Sequence, residues 1–264
     1  MKFLSLVFDY NFQKMFESGR LWGQQGYKNK DYIFSYSAAS IATVLHQNPK
    51  INYEVWTDDP QLLLEKISEY DVQTTNLSLV DKSKEISEWS KHRYCFWPAV
   101  KLVDENLNGE KIIKLDNDLT CLKPCDELFD FEGCLMWKYE RICSKGRDYW
   151  GESYAALGAY GTADFPIYNI GVFYLHPKYH DLAKTVPQLC EDMLNVDISP
   201  IVRFTEDPSV KTRMWSCSEQ TADCYFVWKH KIPVRETHDF FEHHCYTHGK
   251  QACIDRAKFL KKNT

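Results

Sequence analysis

No apolar run in this sequence approaches the roughly 18 residues a membrane span needs, so a transmembrane helix is excluded. The apolar stretch from Met1 to Phe8 meets Asp9 too early for a signal peptide. It reads as a first buried strand, and a cytoplasmic location is expected. Positive charge is not in excess: the formal net charge is −5, which argues against nucleic acid as the main partner. Repeats, low-complexity stretches and Pro/Gly/Ser linkers are missing too, so one domain over 1–264 is expected. The ten cysteines form no CxxC and no tight framework. They read as reduced, mostly buried thiols, and Cys121 with Cys125 fits no structural zinc spacing. What remains is ordinary globular material, 264 residues at 44% hydrophobic and 26% charged, ample for a buried core.

Strand and helix signals alternate through the first 115 residues. After the strand at 3–8, residues 31–47 put Phe34, Ala38, Ile41 and Leu45 on one helical stripe. Residues 52–56 read as a strand ending in Thr57-Asp58-Asp59-Pro60, which is also an Asp-capped helix start with proline at the first position. Helix 62–70, strand 71–78, helix 84–104 kinked at Pro98 and strand 111–115 follow. That order predicts an α/β fold, a parallel sheet flanked by helices, with ligands beyond the carboxyl ends of the strands. Functional residues should therefore follow Phe8, Trp56 and Leu115. Further on, strands are expected near 133–139, 168–175, 232–235 and 240–246. Helices are expected near 178–194 and 218–229, with a basic terminal helix from about 252.

The run Lys114-Leu115-Asp116-Asn117-Asp118 is the most informative segment. In extended chain, residues two apart share a face, so Asp116 and Asp118 converge. Two carboxylates meeting at a strand end need a cation or a proton between them. Hard oxygen ligands suit Mg²⁺ or Mn²⁺, which can bridge to phosphates.

The whole run from Lys114 to Phe129 resembles the metal-binding region of GT-A fold glycosyltransferases, most closely the glycogenin-like, retaining family eight. Three more segments fall in that family's order. Tyr168-Asn169-Ile170-Gly171-Val172-Phe173 is similar to its Asn-x-Gly-Val-Phe strand, Ser218-Glu219-Gln220 to its Asp-Gln pair, and His244 to Lys250 to its terminal His-to-Lys motif. Glu219 departs from the usual Asp, Thr247 replaces a glycine, and no Pro-Trp follows Lys250.

The resemblance implies a Rossmann-like GT-A fold and a metal-dependent transfer from a nucleotide diphosphate sugar, a UDP-hexose by default, to a glycan or protein-linked acceptor with retention. Residues 1–120 would form the nucleotide-binding half, and 121–264 the half that meets the acceptor and completes the metal site. Asp116 and Asp118 would hold Mn²⁺, or Mg²⁺, with a third ligand from the terminal motif. If 241–246 is a strand, only one of His243 and His244 can face the Asp pair. The six-residue match to Lys250 selects His244, with His248 as second candidate, and Lys250 would reach the diphosphate. Glu219 and Asn169 are the expected catalytic residues, with Gly171 and Gln220 beside the sugar. Phe8, Asp9, Tyr10 and Asp58 would meet the nucleoside, and Arg93 the donor. The aromatics around 137–166 would wall the acceptor. Two other readings use the same Asp pair: a different metal-dependent nucleotide-processing enzyme, and a non-catalytic carbohydrate-binding protein.

Overall fold

A computed structural model describes residues 1–9, 30–89, 97–143, 152–197, 209–244 and 247–262. Strand β1 (Lys2–Val7) leads to helix α1 (Lys30–Gln47), β2 (Asn52–Thr57), α2 (Pro60–Ser68), β3 (Leu77–Asp81), α3 (Ser83–Trp89), α4 (Trp97–Asn106) and β4 (Ile112–Leu115). A short β5 (Leu119–Cys121) and a 3₁₀ turn precede β6 (Cys134–Cys143), α5 (Glu152–Tyr160) and β7 (Phe165–Leu175). The chain then adds α6 (His180–Ala183), α7 (Val186–Asn195), α8 (Ser209–Lys229), β8 (Val234–Glu236), β9 (Phe241–His243) and α9 (Thr247–Lys262).

Seven strands form one sheet in the order β3-β2-β1-β4-β7-β6-β8, and β5 pairs with β9 in a separate ribbon. The pairings β1–β2, β1–β4, β2–β3 and β6–β8 are parallel, while β4–β7 and β6–β7 are antiparallel. The sheet is mostly parallel, as the alternating first half requires.

Strand alternation divides the core. Phe3, Ile113, Leu115 and Tyr174 pack with Phe34 and Ile41 of α1 in one cluster. Leu4 packs with Leu6, Phe8, Trp56 and Leu102 in another, and Phe173 and Ile167 pack with Met193 of α7 and Phe226 of α8 in a third. Lys114 breaks this pattern, because it puts a buried ammonium on a central strand. Among the described residues, no helix is long and apolar enough to cross a membrane.

Most element positions follow the sequence pattern, including the Asp59 cap of α2, whose Oδ1 accepts from the Leu62 N–H at 3.1 Å. Three differ. The strand expected at 71–78 begins at Leu77, because Asp71 adopts a left-handed φ of 53° and turns the chain first. The kinked helix expected at 84–104 is helical from Ser83 to Trp89 and from Trp97 to Asn106, and residues 90–96 lie outside the described ones. The terminal helix starts at Thr247 rather than near 252, which brings Lys250 into its first turn.

Candidate active site

The centre of the molecule is the end of β4. The Asp116 N–H donates to Gly171 O on β7 at 2.8 Å, and the chain turns through Asn117 into β5. Pairing of β5 with β9 sets Leu119 opposite His243, and the His244 N–H donates to Asp118 O at 2.9 Å. The ribbon thus carries a histidine from the C-terminal part of the chain to the two aspartates.

That histidine is His243. Its Nε2 lies 3.0 Å from Asp118 Oδ1 and 3.7 Å from Asp116 Oδ2. Asp116, Asp118 and His243 each offer one ligand atom within 4.8 Å of the others. The expectation for His244 is corrected. Alternation does let only one of the adjacent histidines face the pair, but β9 ends at His243, and His244 turns its Nε2 to Thr120 Oγ1 at 2.9 Å. Burial lowers the pKa of His244 and keeps it neutral there. His248 stands in the first turn of α9, and its side chain lies outside the described residues.

Two buried lysines hold the outer oxygens of the aspartates. Lys114 Nζ donates to Asp116 Oδ1 at 2.6 Å and to Ile170 O at 3.3 Å. Lys250 Nζ donates to Asp118 Oδ2 at 2.9 Å. Asp116 Oδ2, Asp118 Oδ1 and His243 Nε2 are left facing one another. Burial by itself would raise the Asp118 pKa, yet Lys250 and His243 hold it well below the usual carboxylate range. Burial disfavours charge on His243 as well, but the Asp118 and Asp116 charges outweigh it and raise its pKa.

Two carboxylate oxygens and one imidazole nitrogen are a donor set that fits Mn²⁺ or Mg²⁺. His243 is wedged between Trp137, whose ring meets it edge-on at 5.3 Å, and the backbone at Gly171. Its Nδ1 is buried without a hydrogen-bond partner. Lys250, expected at a diphosphate, is buried against Asp118 and the Tyr36 ring.

The other expected residues fall into two groups. Asn169 takes the Gly171 N–H on its Oδ1 at 2.8 Å and donates from Nδ2 to Glu140 Oε1 at 3.1 Å. Gln220 Nε2 donates to the second oxygen of the same Glu140 at 3.1 Å. Glu140 is thus the link between two expected sugar-side amides, and sequence reasoning missed it. It lies in a stretch of β6 whose pairing with β7 shifts register on both sides of Lys138 and Tyr139, and such shifts re-aim side chains. Glu219 and Asp223, one turn apart on α8, share a pocket with Lys114. Burial pushes the Glu219 carboxyl up to about 8, with Lys114 opposing and Asp116 adding.

The second group sits at the ends of β1 and β2. The Asp9 N–H donates to Asp58 Oδ2 at 3.1 Å, and Lys30 pairs with Asp59 at 2.8 Å. Asp58 Oδ1 is buried without a partner. Phe8 is corrected in part: its ring belongs to the core, so only its backbone is available to a base. Tyr10 and Arg93 lie outside the described residues.

No family model matches the chain, and no curated protein matches it in sequence. Solved structures do. The galactosyltransferase LgtC, in complex with donor and acceptor sugar analogs, is similar over 100% of this chain and 96% of its own, at 11% identity and a TM-score of 0.50. The apo form of mouse xyloside xylosyltransferase 1 matches 89% of this chain and 84% of its own, at 12% identity and a TM-score of 0.46. The apo glycosyltransferase GlyE of Streptococcus pneumoniae TIGR4 matches 89% and 45%, at 13% identity and 0.47. With the sheet order, the Asp-x-Asp at the end of β4 and the likeness to LgtC together, this chain has the GT-A fold of glycosyltransferases.

Proposed function

We propose that the protein is a metal-dependent glycosyltransferase. In this reading it moves a sugar from a nucleotide diphosphate sugar, of the UDP-hexose class, to a glycan or protein-linked acceptor with retention. The observation that carries this reading is the three-atom constellation of Asp116 Oδ2, Asp118 Oδ1 and His243 Nε2, built at a strand end of a GT-A fold. A divalent ion bound there supplies a Lewis acid for the negative charge that develops on the departing diphosphate.

The chain's own residues do the rest. Lys114 and Lys250 fix the two carboxylates so that one oxygen of each points inward. Asn169 and Gln220, tied through Glu140, present amides to the sugar hydroxyls. Glu219, at the wall of the adjoining pocket, faces the transferred sugar. The ends of β1 and β2 receive the nucleoside, where the unpartnered Asp58 Oδ1 accepts a hydrogen bond from base or ribose. Tyr139 and Tyr154, both exposed, offer rings to an acceptor sugar. The resemblance in the motifs supports retention.

A thermal-shift panel of nucleotide sugars, with Mn²⁺ and with EDTA, tests this. Stabilisation by a nucleotide diphosphate sugar only when the metal is present supports the reading. Equal stabilisation in EDTA, or none by any nucleotide sugar, removes it.

A further inference from the structure

A cavity opens between α4, β7, α7 and α8. Its walls are apolar, with Val103, Leu107, Ile170, Phe173, Val186 and Phe226 among them. The charged groups that line it are Asp104, which pairs with Lys101 at 3.7 Å, and Lys114, Glu219 and Asp223.

Asp223 is the unexplained member. It is only 8% exposed, it lines the cavity, and no described residue hydrogen-bonds its carboxyl. Its carboxyl lines the cavity, so its oxygens are acceptors that a group entering the cavity would meet. Lys114 has a matching surplus. Its ammonium has three N–H donors, and the two described bonds go to Asp116 and Ile170 O.

We propose that this cavity receives an acylamino group on the transferred sugar. Its N–H donates to the Asp223 carboxyl, its carbonyl accepts the third Lys114 N–H, and its methyl lies on the apolar walls. Other substituents match less of the site. A plain hydroxyl leaves the apolar walls uncovered, a methyl group leaves Asp223 unpaired, and a carboxylate meets two acidic side chains. The donor sugar is the bearer because the polar end of the cavity joins the metal-binding aspartates directly, through the Lys114–Asp116 bond. This inference rests on the nucleotide-sugar reading above and narrows it.

Calorimetric titrations of the full chain in Mn²⁺ test it. The ligands are UDP, UDP-glucose, UDP-galactose, UDP-N-acetylglucosamine, UDP-N-acetylgalactosamine and free N-acetylglucosamine. At least one acetamido donor should bind roughly tenfold or more tighter than its plain hexose counterpart, as one further hydrogen bond in a buried site allows. Asp223→Leu should erase that margin and leave UDP affinity unchanged, while its Tm rises because an unpaired buried carboxyl has gone. Asp223→Asn keeps an acceptor oxygen and should retain most of the margin. A merely structural Asp223 would instead lower Tm in both variants and weaken all ligands alike.

Equal or tighter binding of the plain hexose donors overturns the proposal, as does an acetamido margin that survives Asp223→Leu. Asp223-dependent binding of free N-acetylglucosamine without UDP would assign the cavity to the acceptor and overturn the donor assignment. If neither UDP nor any of its sugars binds, the nucleotide-sugar reading itself falls, which UDP binding without sugar preference does not entail.

Discussion

A β-carbon on Gly171 would lie 2.8 Å from both Cε1 and Nδ1 of His243, so the imidazole occupies space that only glycine leaves open. Gly171 also accepts the Asp116 N–H on its carbonyl and gives its own N–H to Asn169. One residue of β7 therefore sets His243, the first aspartate and the expected sugar-side amide against one another.

Gly171→Ala should push the His243 ring out of position and weaken Mn²⁺ binding by roughly tenfold or more, since even changes outside the ligands cost that much. Overpacking should lower stability by about 1–3 kcal/mol. Calorimetric Mn²⁺ titration beside a melting curve separates the two effects. Unchanged metal affinity would show that the ring has room elsewhere.

Lys250 neutralises Asp118 from the side away from His243. Lys250→Met leaves a buried carboxylate short of its counter-charge and should cost about 3–5 kcal/mol in EDTA. A divalent ion compensates the same charge, so Mn²⁺ should restore more Tm to the variant than it adds to wild type. Equal Mn²⁺ shifts in both proteins would separate Lys250 from the metal site.

Burial raises the Asp223 pKa from 3.8 to about 7, with Lys114 opposing. The folded protein then holds a proton that the unfolded chain gives up. This contribution to stability is full below the unfolded value and is lost as pH rises to about 7. Asp223→Asn removes it, so the Tm of the variant should exceed wild type by several degrees more at pH 8 than at pH 5, a difference on the order of 2 kcal/mol. Melting curves in EDTA across that range check the sign. A gap that narrows with pH would contradict it.

Much of this arrangement is legible in the sequence because it depends on local pattern. Alternating apolar stretches give the parallel half of the sheet, Asp59-Pro60 gives a helix start, and the aspartates at the end of an apolar strand give the metal pair. What escapes depends on partners far along the chain. The stretch at 71–76 carries Val72, Thr74 and Thr75 and looks strand-like, yet a left-handed Asp71 and the Asn76 side chain bonded to Pro49 O hold it as a turn. Which histidine faces the aspartates is set by where β9 stops and α9 begins, which the spacing from His244 to Lys250 does not encode. Glu140 becomes visible only once β6 and α8 meet. Lys114 was legible in principle, as a lysine inside an apolar central strand.

Glu140→Ala should release the Asn169 and Gln220 amides together. The expected result is a large fall in kcat with little change in UDP affinity, and Glu140→Gln should recover part of the rate, because it keeps one acceptor oxygen. Steady-state kinetics with a UDP competition assay distinguishes this from general damage, which would weaken UDP binding as well.

The most direct test of the account is a Mn²⁺ titration, read by electron paramagnetic resonance with UDP present, of wild type, His243→Ala and His244→Ala. Wild type should bind one ion per chain, His243→Ala should lose roughly tenfold or more in affinity, and His244→Ala should remain close to wild type. Undiminished binding in His243→Ala, a selective loss in His244→Ala, or no ion bound by wild type would contradict it.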